Sequence, residues 1–157
     1  MPFCGGCSIE TSLFYPLTWF FEPSLLLWKS IPLLVWLGIL LMSARITQHI
    51  SNTFAVHSTM LLLLFSPIWY SKGILIGWGN HFESGLLVLI CLWFYMKRRY
   101  ALLGFSMGFS VWFCYGTLCI FPVICLAYLL QPNRNLRDVI LWGMGLMVGL
   151  LPWFWSR

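Results

Sequence analysis

The chain has 157 residues, of which 61% are hydrophobic, 18% aromatic and only 8% charged, with a mean hydropathy of +0.87. A water-soluble domain carries about 25% charged residues, so the composition excludes that class and predicts a multi-span membrane protein. The formal net charge of +5 would suggest nucleic acid in a soluble chain. Here the basic residues stand in short clusters between apolar runs, without a basic stripe interleaved with aromatics. They read as topology determinants, and no nucleic-acid partner is expected.

The chain opens with Cys4-Gly5-Gly6-Cys7, a spacing compatible with half a zinc site, a redox pair, a local disulfide or a tight glycine turn. No second CxxC or His pair completes a tetrahedral set, so metal is not expected at this turn. Neither a basic n-region nor an uninterrupted apolar core precedes residue 20, and no signal peptide is expected. Residues 11–21 are aromatic-rich, interrupted by Pro16 and closed by Glu22-Pro23. They are too short for a span and read as a helix lying in the interface.

Ser24 to Ser43 has the length of a span, with Lys29 near its start and Pro32 just beyond. Arg45 and a polar connection from Thr47 to Asn52 follow, with His49 read as a solvated loop residue. A second span is expected from about Phe54 to Tyr70, with His57 read as a bonded core histidine. The loop from Ser71 to Phe82 leads into a span from Gly85 to Tyr95, stopped by Met96-Lys97-Arg98-Arg99. Ala101 to Leu130 would make ~45 Å of helix, too long for one crossing. A hairpin turning near Tyr115-Gly116-Thr117 puts Arg45, Lys97, Arg98, Arg99, Arg134 and Arg137 on one side, as the positive-inside rule favours. Asp138 is then expected to cap a last span, Val139 to Trp155.

These elements predict an all-α polytopic transmembrane helical bundle of about six spans or half-spans plus an interfacial helix, with residues 1–157 forming one transmembrane module. Counting back from Arg45 places residues 1–23 on the outer side. A preceding span is therefore expected upstream of Met1.

The polar island Gly77-Trp78-Gly79-Asn80-His81-Phe82-Glu83-Ser84 stands out from this apolar frame, since ionisable residues at a membrane boundary are functional candidates. The bland reading is that Glu83 caps the helix opening at Ser84, Asn80 turns the chain and His81 is merely wet. Glu10 has weaker standing as a site residue, since exposed loop carboxylates are common, and Lys29 either snorkels to the surface or meets a lipid phosphate. With residues 1–23 outside, Glu10 and Glu83 would share one face and line one cleft at the bilayer surface.

The order of "KSIPLL" in the first span, "FSPIWYS" ending the second, "GWGNHFESGLL" opening the next, the "ALLGFSMGFSVWFCYGTLCIFPVICLAYLL" hairpin and "GLLPWFW" near the end resembles bacterial membrane glycosyltransferases. The similarity is to the dolichyl-phosphate-mannose protein mannosyltransferase-like group, of the GT-C fold, and covers nearly the whole chain. It implies an enzyme of the bacterial inner membrane that transfers a sugar from a polyprenyl-phosphate donor to an acceptor at the extracytoplasmic face. The group's first span and the acidic pair of its first outer loop are absent from these residues. Inverting sugar transfer needs a carboxylate for the acceptor proton and cationic or metal help for the leaving phosphate. Glu83, His81 and Glu10 are the candidate catalytic residues. Lys72, Asn80 and Lys29 are the candidate substrate-binding residues, and a divalent cation is a candidate cofactor. The competing class is a non-enzymatic membrane protein, a small transporter subunit or assembly factor, although no inverted repeat or mid-span charge marks a transporter.

Overall fold

Caps and breakers written into the sequence set the helix boundaries. The computed structural model describes residues 15–22, 24–66, 83–132 and 135–155, and every regular element among them is helical, with no strand. Helix α1, Leu25–Ile50, begins at Ser24, whose hydroxyl accepts the Leu27 amide at 3.1 Å. It continues through Pro32 and past the expected end at Ser43. Thr47 to Ile50, expected as a connection, form its last turn, because the chain leaves the helix only at Ser51. Asn52 then starts α2, Thr53–Leu64, by accepting the Ala55 amide on its side chain at 3.0 Å.

Helix α3, Glu83–Met96, ends in a tight reversal at Arg98, which has φ 52°. The Arg98 amide donates to the Tyr95 carbonyl at 3.0 Å and the Arg99 amide to the Phe94 carbonyl at 2.9 Å, the paired bonds of a left-handed helix stop. The chain returns at once as α4, Tyr100–Phe113. A break at Cys114 and a 3₁₀ turn over Tyr115–Cys119 reverse it again into α5, Ile120–Leu129. The expected hairpin is present, with its turn where the sequence placed it. Helix α6, Leu136–Gly149, is capped by Asn135, whose side chain accepts the Arg137 amide at 3.0 Å. Asp138, expected as the cap, sits inside the first turn instead. A short helix α7, Leu151–Trp155, follows a break at Leu150.

Packing fixes the relative directions. Gly38 of α1 meets Leu86, Gly85 meets Ile39, and His49 meets Trp93, so α1 and α3 run parallel. The tight links at 97–99 and 114–119 make α3, α4 and α5 successively antiparallel. Helices α4 and α6 then run parallel in the closest pairing of the molecule. A Cβ on Gly104 would overlap the Trp142 carbonyl oxygen, and one on Gly145 would overlap the Ala101 carbonyl oxygen. Gly108 and Gly149 repeat this contact one turn on. This is small-xxx-small packing, Gly104-x3-Gly108 against Gly145-x3-Gly149, in which backbones touch.

The buried centre, with Leu103, Met107 and Ile124 fully enclosed, lies where α3, α4 and α5 meet. Its polar members are satisfied locally. Ser106 donates to the Leu102 carbonyl, Ser110 to the Met107 carbonyl and Thr117 to the Cys114 carbonyl. Large apolar side chains point outward instead, including Leu34 and Leu37 on α1 and Ile140, Met144 and Met147 on α6. By length and apolarity, Leu25–Ile50 and the run Leu136–Phe154 can each cross a membrane. In the segment expected as an interfacial helix, only 15–17 are helical among its described residues, and Trp19, Phe20 and Phe21 after them are exposed.

Candidate functional site

Glu83 is the first residue of α3, and it is buried to 6% exposure. A carboxylate at a helix N-terminus is favoured by the unpaired amides and the dipole there. Burial works against it, because each carboxylate oxygen removed from water needs a donor or a cation. Among the described residues, Oε2 of Glu83 accepts no hydrogen bond and is enclosed. The simple capping role therefore leaves one oxygen of this side chain unexplained. A buried acceptor without a donor calls for an explanation such as a ligand, ion or water. It is suited chemically to take a proton from a hydroxyl or to hold a cation.

Lys29, the second candidate in the described residues, lies half-buried in the early turns of α1. Because Gly85 packs against Ile39 and the helices are parallel, Lys29 stands ~12 Å further along the axis than the level of Glu83, at ~1.5 Å per residue. The two thus lie toward the same end of the bundle but at different depths. His81, Glu10, Lys72 and Asn80 lie outside the described residues, as do Cys4, Cys7 and Arg134. The shared cleft between Glu10 and Glu83 therefore lies outside them too. Among the described residues, no three His, Cys, Asp or Glu side chains gather as a metal set. The described part does not itself assemble such a set for a divalent cation.

Two histidine readings change. His57 is exposed on α2, with Nδ1 2.8 Å from the Thr53 carbonyl oxygen. It is bonded but lies outside the core. His49 belongs to the last turn of α1 rather than to a loop, and its ring meets Trp93 edge-on at 5.8 Å.

At the opposite end from Glu83, a polar cluster joins three helices and the α5–α6 link. The Gln131 amide donates to the Tyr95 hydroxyl at 2.7 Å, and the Tyr100 hydroxyl donates to Gln131 at 3.4 Å. The Tyr128 hydroxyl donates to the Asn135 carbonyl at 3.0 Å and accepts the Asn135 amide at 3.3 Å. Tyr100 and Tyr128 pack edge to face at 5.4 Å. Three tyrosines and an amide at the ends of apolar runs were the signal for this cluster, because such residues sit where one end of the side chain is wet.

Neither a known protein family, nor a curated protein, nor a solved structure matches the chain.

Proposed function

We propose that the chain is a multi-pass segment of a bacterial inner-membrane glycosyltransferase, which moves a sugar from a polyprenyl-phosphate donor to an acceptor at the extracytoplasmic face. The observation that carries this reading is Glu83, buried, without a partner at Oε2 among the described residues and set at the end of α3 opposite its basic stop. Outward-facing apolar side chains around inward-facing serines and glycines support the membrane part, since lipid rather than water then solvates the exterior. Arg45, Lys97, Arg98, Arg99 and Arg137 gather toward the other end, which supports an orientation with that end cytoplasmic.

In this reading the Glu83 carboxylate takes the proton of the acceptor hydroxyl as its oxygen attacks the anomeric carbon. The polyprenyl phosphate leaves with the bonding pair. Lys29 lies toward the same end but ~12 Å along the axis from the level of Glu83, so it is placed to meet a lipid phosphate at the membrane rim rather than the phosphate leaving beside Glu83.

Membrane vesicles holding the chain, supplied with a polyprenyl-phosphate carrying a labelled sugar, test the proposal. Glu83→Gln removes the base while keeping the side chain's shape, and the expected loss is about 10²-fold or more in transfer. An unchanged rate removes Glu83 from the chemistry. Transfer no greater than in vesicles lacking the chain favours a non-enzymatic membrane protein.

A further inference from the structure

We propose that a groove at the basic end, between the last turns of α1 and α3, binds an anionic phosphate group. The groove is shallow and open to the surface, with a volume of about 310 Å³, and is lined by Arg45, Gln48, His49 and Trp93. Lys97 is outside that lining but holds Nζ 4.7 Å from the centre of the Trp93 ring, so a second full charge stands against the residue that walls the groove. The His49 ring stands edge-on to the same indole. Trp93 thus forms a wall that positions both side chains.

The chemistry of the lining selects the ligand. Among the described residues no acidic side chain lines the groove, so a bound anion meets no like charge from them. A guanidinium offers paired donors that match phosphate oxygens. The Gln48 amide and a His49 ring nitrogen add donors, and the Lys97 ammonium adds a point charge. The C-terminal ends of α1 and α3 oppose an anion, so recruitment depends on the side-chain cations.

The surroundings favour an amphiphile as the source of that phosphate. Leu37 and Leu41 are both exposed on α1, and with Arg45 and Gln48 they follow the i, i+4, i+8, i+11 spacing of one helical stripe. An acyl chain lying along Leu37 and Leu41 would bring its headgroup to Arg45. Basic pockets between spans on the cytoplasmic side suit anionic headgroups. The inference rests on the membrane part of the proposed function and not on sugar transfer. It is therefore tested by binding alone, and failure of the transfer assay does not touch it.

The test uses the purified full chain in a neutral detergent. Short-chain phosphatidylglycerol and phosphatidylcholine are titrated separately, with bound lipid read by native mass spectrometry. Phosphatidylglycerol is expected to bind at least about tenfold more tightly, an advantage that shrinks with added salt. The pair R45Q and K97Q together should remove that advantage, while Arg137→Gln, on the same end but away from the groove, should keep it. Inorganic phosphate supplies the remaining arm. If it displaces the lipid with the same dependence on Arg45 and Lys97, the site takes free phosphate; if it does not displace, the lipid headgroup is the ligand. Equal, salt-independent binding of both lipids without phosphate binding overturns the proposal even if the double variant fails to fold. A loss in Arg137→Gln as large as in the double variant also overturns it, because the charge of the whole face would then suffice.

Discussion

Two glycines two residues apart on α6 provide a matched test of the packing that holds the molecule together. A Cβ on Gly145 would overlap the Ala101 carbonyl oxygen and stand 2.9 Å from the Phe105 amide nitrogen, whereas a Cβ on Gly143 meets nothing within 4 Å. Both obstructing atoms belong to the α4 backbone, which has no rotamer by which to yield. Gly143→Ala should therefore show only the intrinsic helix preference, neutral to stabilising by up to about 1 kcal/mol. Gly145→Ala gains the same preference, but it must push α4 and α6 apart along a seam that also holds Gly104, Gly108 and Gly149. Overpacking of this kind costs about 1–3 kcal/mol, so the net expectation is a loss of up to about 2 kcal/mol. The two alanines should thus differ by about 1–3 kcal/mol in the same helix.

Unfolding in mixed detergent micelles, followed by circular dichroism against the fraction of denaturing detergent, measures the difference. The alanine at 145 should lower the midpoint while that at 143 holds or raises it. Equal shifts would refute close backbone contact between α4 and α6. Gly104→Ala provides the reciprocal check, since its Cβ would stand 2.7 Å from the Leu146 amide nitrogen. Because both changes open one seam, Gly104→Ala with Gly145→Ala should cost less than the sum of the two.

Arg98→Gly should stabilise the chain by about 1 kcal/mol, since φ 52° costs a residue with a Cβ that much and costs glycine little; a lower unfolding midpoint would count against the tight reversal. Tyr95→Phe removes the acceptor of the 2.7 Å Gln131 bond and should cost about 1 kcal/mol, read in the same detergent titration, and no change would show that the bond contributes nothing. Single cysteines on a cysteine-free background, treated with an impermeant maleimide in intact cells, should be labelled at position 116 in the hairpin turn and protected at position 98. Labelling at 98 would overturn the orientation.

The hairpin was legible because charge and length together left one solution for a thirty-residue apolar run. The first helix was misjudged at its far end, where Thr47 to Ile50 look polar enough for a loop. Asn52 decided the matter, since a side chain that accepts the Ala55 amide makes residue 53 the start of the next helix and leaves the preceding turn helical. The same kind of competition displaced Asp138. Asn135 stands three residues earlier in an extended conformation and already satisfies a first-turn amide. The glycine seam was open to reading as well, as Gly104-x3-Gly108 and Gly145-x3-Gly149 are both visible in apolar runs. What no spacing rule supplies is their pairing, which depends on α5 returning the chain so that α4 and α6 point the same way. The Tyr95, Gln131 and Tyr100 cluster depends on that same return.

The buried polar groups divide into two kinds, and the division bears on Glu83. Ser106, Ser110 and Thr117 each bond a carbonyl three or four residues earlier, so none of them needs a neighbouring helix. Hydroxyls bonded within their own helix leave the glycine seam to pack through backbone shape. Glu83 cannot do the same. As the first residue of α3 it has no earlier turn of its own helix beneath it, and a carboxylate offers no proton to a carbonyl when ionised. Among the described residues its enclosed Oε2 has no donor, and a donor or a cation from elsewhere would offset the cost of its burial. Replacing Glu83 with Gln separates a structural from a chemical demand, because the amide keeps the volume and one acceptor while losing the charge. If the oxygen serves only packing, Glu83→Gln should be neutral or stabilising in the detergent titration and leave vesicle transfer intact. If it serves the chemistry proposed above, stability should hold or rise while transfer falls, the opposition expected where a site retains a group its fold does not favour.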